Sequence, residues 1–273
     1  MSRLLRSPSA WGVLLFFACA LLGPLFADEP RSIDLAHAFE LPSRTHWLGT
    51  GDNGVDLGAA LLHGARFSAE ISLSVVSVSL LLGGLAGAFA GLRGGWFDSA
   101  LMGLCDLLQA FPAVLLNIAI LALVPRPGAG HIVLSLSISG WVLYARLARV
   151  EALALRERDF ISAARALGAS ESRVLLRHLV PNLIGPLLVQ ATAGLGGVIL
   201  MESTLSFLGL GPAQTISWGA LLDQGSAVLL RFPHVALLSG GAIAFVVLSM
   251  NLAGDALRDA LDPRTRAESQ TSS

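Results

Sequence analysis

Lysine is absent: all 18 basic residues are arginine. The phosphate-gripping lysine of a G-x-x-x-x-G-K-[ST] loop therefore cannot exist in this chain, and if ATP drives any activity here, another polypeptide binds it. Charge of either sign is scarce, at 14% of 273 residues, against 54% hydrophobic residues and a mean hydropathy of +0.70. These values exclude an ordinary soluble domain and point to a bilayer. A net charge of −1 leaves no positive surplus to neutralise phosphates, which argues against a nucleic-acid partner. Only two cysteines occur, Cys19 and Cys105, both inside apolar runs, where a thiol behaves as a small buried hydrophobe and forms neither a staple nor a metal cluster. The six histidines, His37, His46, His63, His131, His178 and His234, show no i, i+4 pair, so spacing yields no zinc or nickel site. Gly-x-Ser-x-Gly is missing too, and no catalytic residue is assigned.

What is present is long apolar sequence. The run from Trp11 to Phe26 follows Arg3 and Arg6 like a signal peptide, but Gly23-Pro24-Leu25-Phe26 offers no small-x-small cleavage site, so it reads as a first spanning helix. Residues 27–67 carry Asp28, Glu29, Pro30, Asp34, Pro42, Gly49, Gly51, Asp52, Asn53 and Gly54, and read as an extramembrane loop. Five further apolar segments follow, near 68–92, 99–124, 131–150, 183–203 and 235–254. Each approaches the roughly 20 residues that a helix needs to cross about 30 Å of hydrocarbon. The expectation is an all-α membrane protein with six transmembrane helices. Its parts are a tail over 1–10, a first span over 11–26, the 27–67 loop, a five-helix core over 68–254 and a tail over 255–273.

Arginine placement orients this arrangement. With the N-terminus inside and sides alternating, thirteen arginines fall inside and five (Arg31, Arg44, Arg66, Arg126 and Arg231) outside. The bias places both termini in the cytoplasm and the 27–67 loop in the periplasm. Gly83, Gly87 and Gly91 recur every four residues in the second span and line one face, a packing seam on which another backbone can approach closely. Asp106, Gln109, Asn117 and Glu202 lie in or near apolar spans, where a polar or ionisable group is costly unless it finds a partner or a cavity. Each is a candidate for a functional or a structural role, and none is assigned to substrate.

Between the fourth and fifth spans lies a polar insert, 151–182. Phe160, Ala163, Ala164 and Leu167 fall at i, i+3, i+4 and i+7, one apolar face of a short helix, with Arg158 and Arg165 elsewhere on the wheel. Asp159 is placed to cap its start, and Gly168 to end it in the left-handed conformation. Ser170 is placed to cap a second helix bearing Val174, Leu175 and Leu179, before Val180-Pro181-Asn182 breaks the chain. The product is a helix-turn-helix elbow at the membrane surface, with the expected contact residues Phe160, Ala163, Ala164, Leu167, Gly168, Ala169 and Ser170. On residue chemistry alone, such an elbow suits either a protein partner or anionic lipid headgroups.

Ala163-Ala164, Gly168 and Val180-Pro181 resemble the "EAA" loop of binding-protein-dependent ABC importer permeases. Here Ser162 stands at the motif's glutamate and His178 at its isoleucine. Further blocks resemble the dipeptide, oligopeptide and nickel branch of that family, in its second permease subunit type. They are His46 to Gly51 with His63 to Ser68; Gly94 to Asp98; Asp106 with Phe111-Pro112; Glu202 to Gly211 with Ser217-Trp218-Gly219; and Asn251 to Arg264. Gly51 replaces an acidic residue of the family pattern and Val55 an arginine.

The resemblance implies a type I ABC importer permease fold in the bacterial inner membrane, with a cytoplasmic coupling helix between spans 4 and 5. It implies a second permease subunit as heterodimer partner, ATP-binding subunits that hold ATP and magnesium, and an extracytoplasmic solute-binding protein, while the permease carries no cofactor or metal. Peptides are the implied substrate, with nickel or another metal chelate as the alternative within the branch. Two rivals differ in kind. An ion-driven secondary transporter requires inverted repeats and midplane charges, neither of which is detected, and a membrane scaffold would transport nothing.

Overall fold

The computed structural model describes residues 8–27, 34–213 and 215–261. Arg3, Arg6, Arg31, Arg264 and Arg266 of the orientation argument, and Asp262 to Arg264 of the C-terminal block, lie outside the described residues. Helices dominate, and among the described residues the one β feature is an isolated bridge between Thr50 and Asp56. The helices are α1 (Pro8–Phe26), α2 (Leu57–Arg93), α3 (Gly95–Gln109), α4 (Ala113–Ala122), α5 (Ala129–Arg156), α6 (Asp159–Ala166), α7 (Glu171–Val174), α8 (Val180–Phe207), α9 (Trp218–Ala227) and α10 (Pro233–Leu261).

Contacts fix the relative directions. Gly83, Gly87 and Gly91 of α2 lie against Trp141, Ala145 and Arg149 of α5 in rising order, so α2 and α5 run parallel. On α8 the order reverses: Leu187 meets Gly84, Gly194 meets Val76 and Glu202 meets Ser68, so α8 runs antiparallel to α2. α10 turns back again, with Gly196 beside Met250 and Gly254 beside Ala193. One end of the bundle therefore carries the 34–56 loop and α9, and the other carries the α2–α3 corner with α6 and α7. The largest buried cluster sits at the first end, where Phe16 of α1, Leu57 and Ala60 of α2, Ile199 of α8, Trp218 of α9 and Met250 of α10 converge.

Four stretches meet the length and apolarity needed to cross a membrane: Leu57–Arg93, Ala129–Arg156, Glu171–Phe207 and Pro233–Leu261. The expected third span, 99–124, is two helices bent by 83°, and the pair amounts to a fifth crossing if it counts as one. Pro112 explains the break, since it donates no N–H and disfavours helix at Phe111 before it. The expected first span lies in α1, whose apolar stretch Pro8–Gly23 is shorter than these four.

Other boundaries also differ from expectation. α2 starts at Leu57, inside the expected 27–67 loop. Asp56 caps it by accepting the Ala59 N–H at 2.9 Å, and the Trp218 indole donates to the Leu61 carbonyl at 2.9 Å, so tertiary contact extends the helix beyond the apolar run. α10 reaches Leu261, so the expected 255–273 tail begins inside a helix. α1 likewise takes in residues 8–10 of the expected 1–10 tail.

Candidate functional site

α5 runs out to Arg156, and the polar connection that follows is compact. Asp159 is the first residue of α6 rather than its cap; Arg158 occupies the cap position without a side-chain bond. The C-terminus of α6 closes as a Schellman turn. Gly168 has φ +81°, its N–H donates to the Arg165 carbonyl at 2.9 Å, and the Ala169 N–H donates to the Ala164 carbonyl at 3.0 Å. A Cβ on Gly168 would meet nothing within 4 Å, so glycine serves the backbone angle here and not a close contact. Ser170 Oγ accepts the Arg173 N–H at 3.4 Å and starts α7.

No break follows. α7 passes through a π turn, Leu175–Leu179, into α8, so that Glu171–Phe207 forms one continuous stretch of 37 residues. The expected interruption at Val180-Pro181-Asn182 is absent because the proline sits in the first turn of α8, where its missing N–H is tolerated after the widened π turn. The elbow is thus α6 braced against the root of a spanning helix.

Its two faces divide differently from the expected stripe. Ile161 is fully buried and Ala164 is 8% exposed, and Ile161 joins Val174, Leu179 and Leu183 in a cluster with Ala148 and Ala152 of α5 and Ala88 and Leu92 of α2. Phe160 is 42% exposed, Ala163 is exposed, and Leu167 is 89% exposed. The outward apolar surface is therefore Phe160, Ala163 and Leu167, while Ala164 faces the chain's own core. Ala169 is half-buried against the same cluster, and Gly168 and Ser170 are exposed at the turn. Ser162, at the motif's glutamate position, is exposed, and Arg165 pairs with Glu171 at 3.3 Å across the elbow. Ile161 was missed in the sequence reading. The signal was a β-branched residue one step off the assumed stripe.

The glycine seam is tight. A Cβ on Gly83 would lie 2.2 Å from the Trp141 carbonyl oxygen, one on Gly87 2.0 Å from that of Ala145, and one on Gly91 2.6 Å from that of Arg149. Glu202 is fully buried, and its carboxyl oxygens accept Ser68 Oγ of α2 at 3.0 Å and Ser206 Oγ at 2.7 Å. Asn117 of α4 is fully buried and accepts Ser135 Oγ at 3.0 Å and Ser139 Oγ at 3.3 Å, which ties the broken span to α5. Asp106 pairs with Arg146 of α5. No group of three or more metal-ligating side chains occurs among the described residues. At the opposite end from the elbow, Gly209, Pro212, Ile216, residues of α9 and Val55 help to line a cleft of about 630 Å³, with Ser217, Asp223 and Gln224 among its polar groups.

Comparison with known proteins places this geometry. A family model described as "Binding-protein-dependent transport system inner membrane component" matches residues 83–267. The chain is 36% identical over 256 residues to the oligopeptide transport system permease protein OppC of Bacillus subtilis (strain 168), covering 93% of this chain and 84% of that one. It is 35% identical over 254 residues to the dipeptide transport system permease protein DppC of Alkalihalophilus pseudofirmus, covering 92% and 83%. Among solved structures, inward-facing MetNI methionine ABC transporter shares its fold, with a TM-score of 0.60 at 16% identity over 74% of this chain and 96% of that chain.

Proposed function

On the premise that the chain belongs to the family of binding-protein-dependent transport system inner membrane components, we propose that it forms the membrane path for peptides and that its α6 elbow is the docking surface for a separate ATPase subunit. Family membership makes it the membrane component of a transport system and not an enzyme. The observation that carries the docking reading is the split of α6: Ile161 anchors it in a cluster with α5 and α2 residues, Ala164 is buried beside it, and Phe160, Ala163 and Leu167 are left outward ahead of the Gly168 turn. A leucine 89% exposed in an aqueous connection is apolar area awaiting a cover, and three side chains at helical spacing suit a groove on a partner. In this reading ATP and magnesium reside on that partner, both termini of this chain lie in the cytoplasm, and an extracytoplasmic binding protein delivers the peptide at the cleft end. A second permease subunit covers the open face of α8, and the pair rocks between inward-facing and outward-facing states as the ATPase closes.

Crosslinking tests the docking reading. A cysteine in place of the outward Ala163 is expected to crosslink to a copurifying ATPase subunit, whereas one in place of the inward Ala164 is not. Labelling of both positions by lipid-phase reagents alone would support a headgroup-resting elbow and refute docking. Uptake by proteoliposomes of the complete transporter, with dipeptides, oligopeptides and nickel in competition, tests the substrate. Competition by nickel and not by peptides would refute the peptide reading.

A further inference from the structure

Arg146, Arg149 and Arg156 of α5 stand three and seven residues apart, which keeps them on one side of the helix. All three reach α3 or the corner that leads into it. Arg149 grips Asp98 with two prongs, Nε donating to Oδ1 and Nη2 to Oδ2 at 2.6 Å, with the side chains 29% and 14% exposed. Arg146 Nη2 donates to Asp106 Oδ1 in a more open pair. Arg156 Nη1 donates to the Gly91 carbonyl at 3.3 Å, just before the turn in which Gly94 and Gly95 take φ of +66° and +71°. Behind Arg149, its own carbonyl presses on Gly91 of α2. Three residues after Arg156, α6 begins.

Otherwise α3 meets α5 through a small apolar cluster of Cys105, Val142 and Ala145 with Met102, Leu108 and Trp141. Apolar contact resists compression, but it separates readily under tension because lipid tails replace it at little cost. A two-pronged, partly buried pair between opposite charges resists both push and pull. We propose that Asp98–Arg149, with Asp106–Arg146 as an outer latch, is the strap through which displacement of α6 passes along α5 into the broken span α3–α4. Asp98 and Arg149 are then positioning residues for the transport cycle. The assignment rests on the docking reading of α6, whose buried face shares a cluster with Ala148 and Ala152, the α5 residues flanking Arg149.

The test uses the complete transporter in proteoliposomes, with peptide uptake, ATP hydrolysis, thermal stability and retention of the ATPase subunit measured separately. Asp98→Arg and Arg149→Asp are each expected to lower uptake per ATP hydrolysed by about tenfold or more with the ATPase subunit retained, and the double exchange to recover to within about threefold of the native ratio. Asp98→Asn should fall between, and Asp106→Asn, at the open latch, should lose about twofold. A native ratio in the single exchanges overturns the strap, as does a double exchange that retains the ATPase without recovery. Lowered thermal stability with an unchanged ratio also overturns it, because the pair is then only a clamp of the fold. Should Asp98→Arg fail to insert, Asp98→Asn decides, and a native ratio there overturns the proposal. If the native chain retains no ATPase subunit, it is the docking reading that fails.

Discussion

α2 and the α7–α8 stretch are each 37 residues long and almost equally apolar, with mean hydropathy of 2.0 and 1.8 in their most apolar segments, yet 56% of that segment is buried within the chain in α2 and only 22% in α8. Apolarity puts both in a bilayer, and it says nothing of which is scaffold and which is surface. The difference lies in how small residues are used. On α2, Gly83, Gly87 and Gly91 face one partner along its length and bring the α5 backbone into contact. On α8, Gly197 meets nothing within 4 Å, and Ile184, Leu188 and Leu200 remain exposed elsewhere along the helix. α2 is the chain's own core helix, whereas α8 leaves most of its most apolar segment uncovered by this chain.

The largest effect is expected where α2 has no room. Gly87→Leu places a side chain on the Ala145 carbonyl, and a loss of more than about 4 kcal/mol should leave little protease-resistant protein in the membrane fraction. Normal yield would erase the contrast between the two helices. Next comes the link between them. Glu202→Ala leaves the hydroxyls of Ser68 and Ser206 without their buried acceptor and should cost about 1–3 kcal/mol in detergent unfolding, with Glu202→Gln restoring most of it.

On the open side of α8, Gly197→Leu should change the stability of the isolated chain by about 0.5 kcal/mol or less, and should act instead on recovery of the assembled complex. Equal damage to the isolated chain would show that α8 is as enclosed as α2.

The smallest effect concerns the loop that leads into α2. Asp34 Oδ2 bonds His37 Nδ1 at 2.8 Å, which raises the histidine above its ordinary pKa, with Glu40 adding to the effect, and holds the Asp34 carboxyl below its own. The histidine's contribution is complete below its unfolded pKa and is lost as pH rises through the raised value. That of Asp34 is present above its unfolded pKa and is lost as pH falls through the lowered one. Protection of this loop from proteolysis should peak between the two and flatten in Asp34→Asn.

Much of the elbow was legible because capping is local chemistry. Gly168 must take a left-handed angle, and Ser170 must supply an oxygen to the next turn, whatever the rest of the chain does. The face of α6 was not legible to the same degree. Ala163 and Ala164 are neighbours of the same type, and only the packed structure buries one and leaves the other exposed. The break in the third segment was not read from the sequence either: 99–124 was expected as one span, although Pro112 lies within it, and in the structure it bends by 83° with Asn117 beyond the bend bonded to Ser135 and Ser139 on α5.

By itself the sequence determined that this chain is a lysine-free, helical membrane protein with a polar elbow between two apolar segments, since composition, periodicity and caps act over a few residues. Tertiary structure alone decided that α2 begins at Leu57, that Pro181 leaves its helix unbroken, that α8 keeps an open face, and that Arg149 meets Asp98 across 51 positions of sequence. Those outcomes depend on which backbones come within reach of one another, and no local propensity encodes that.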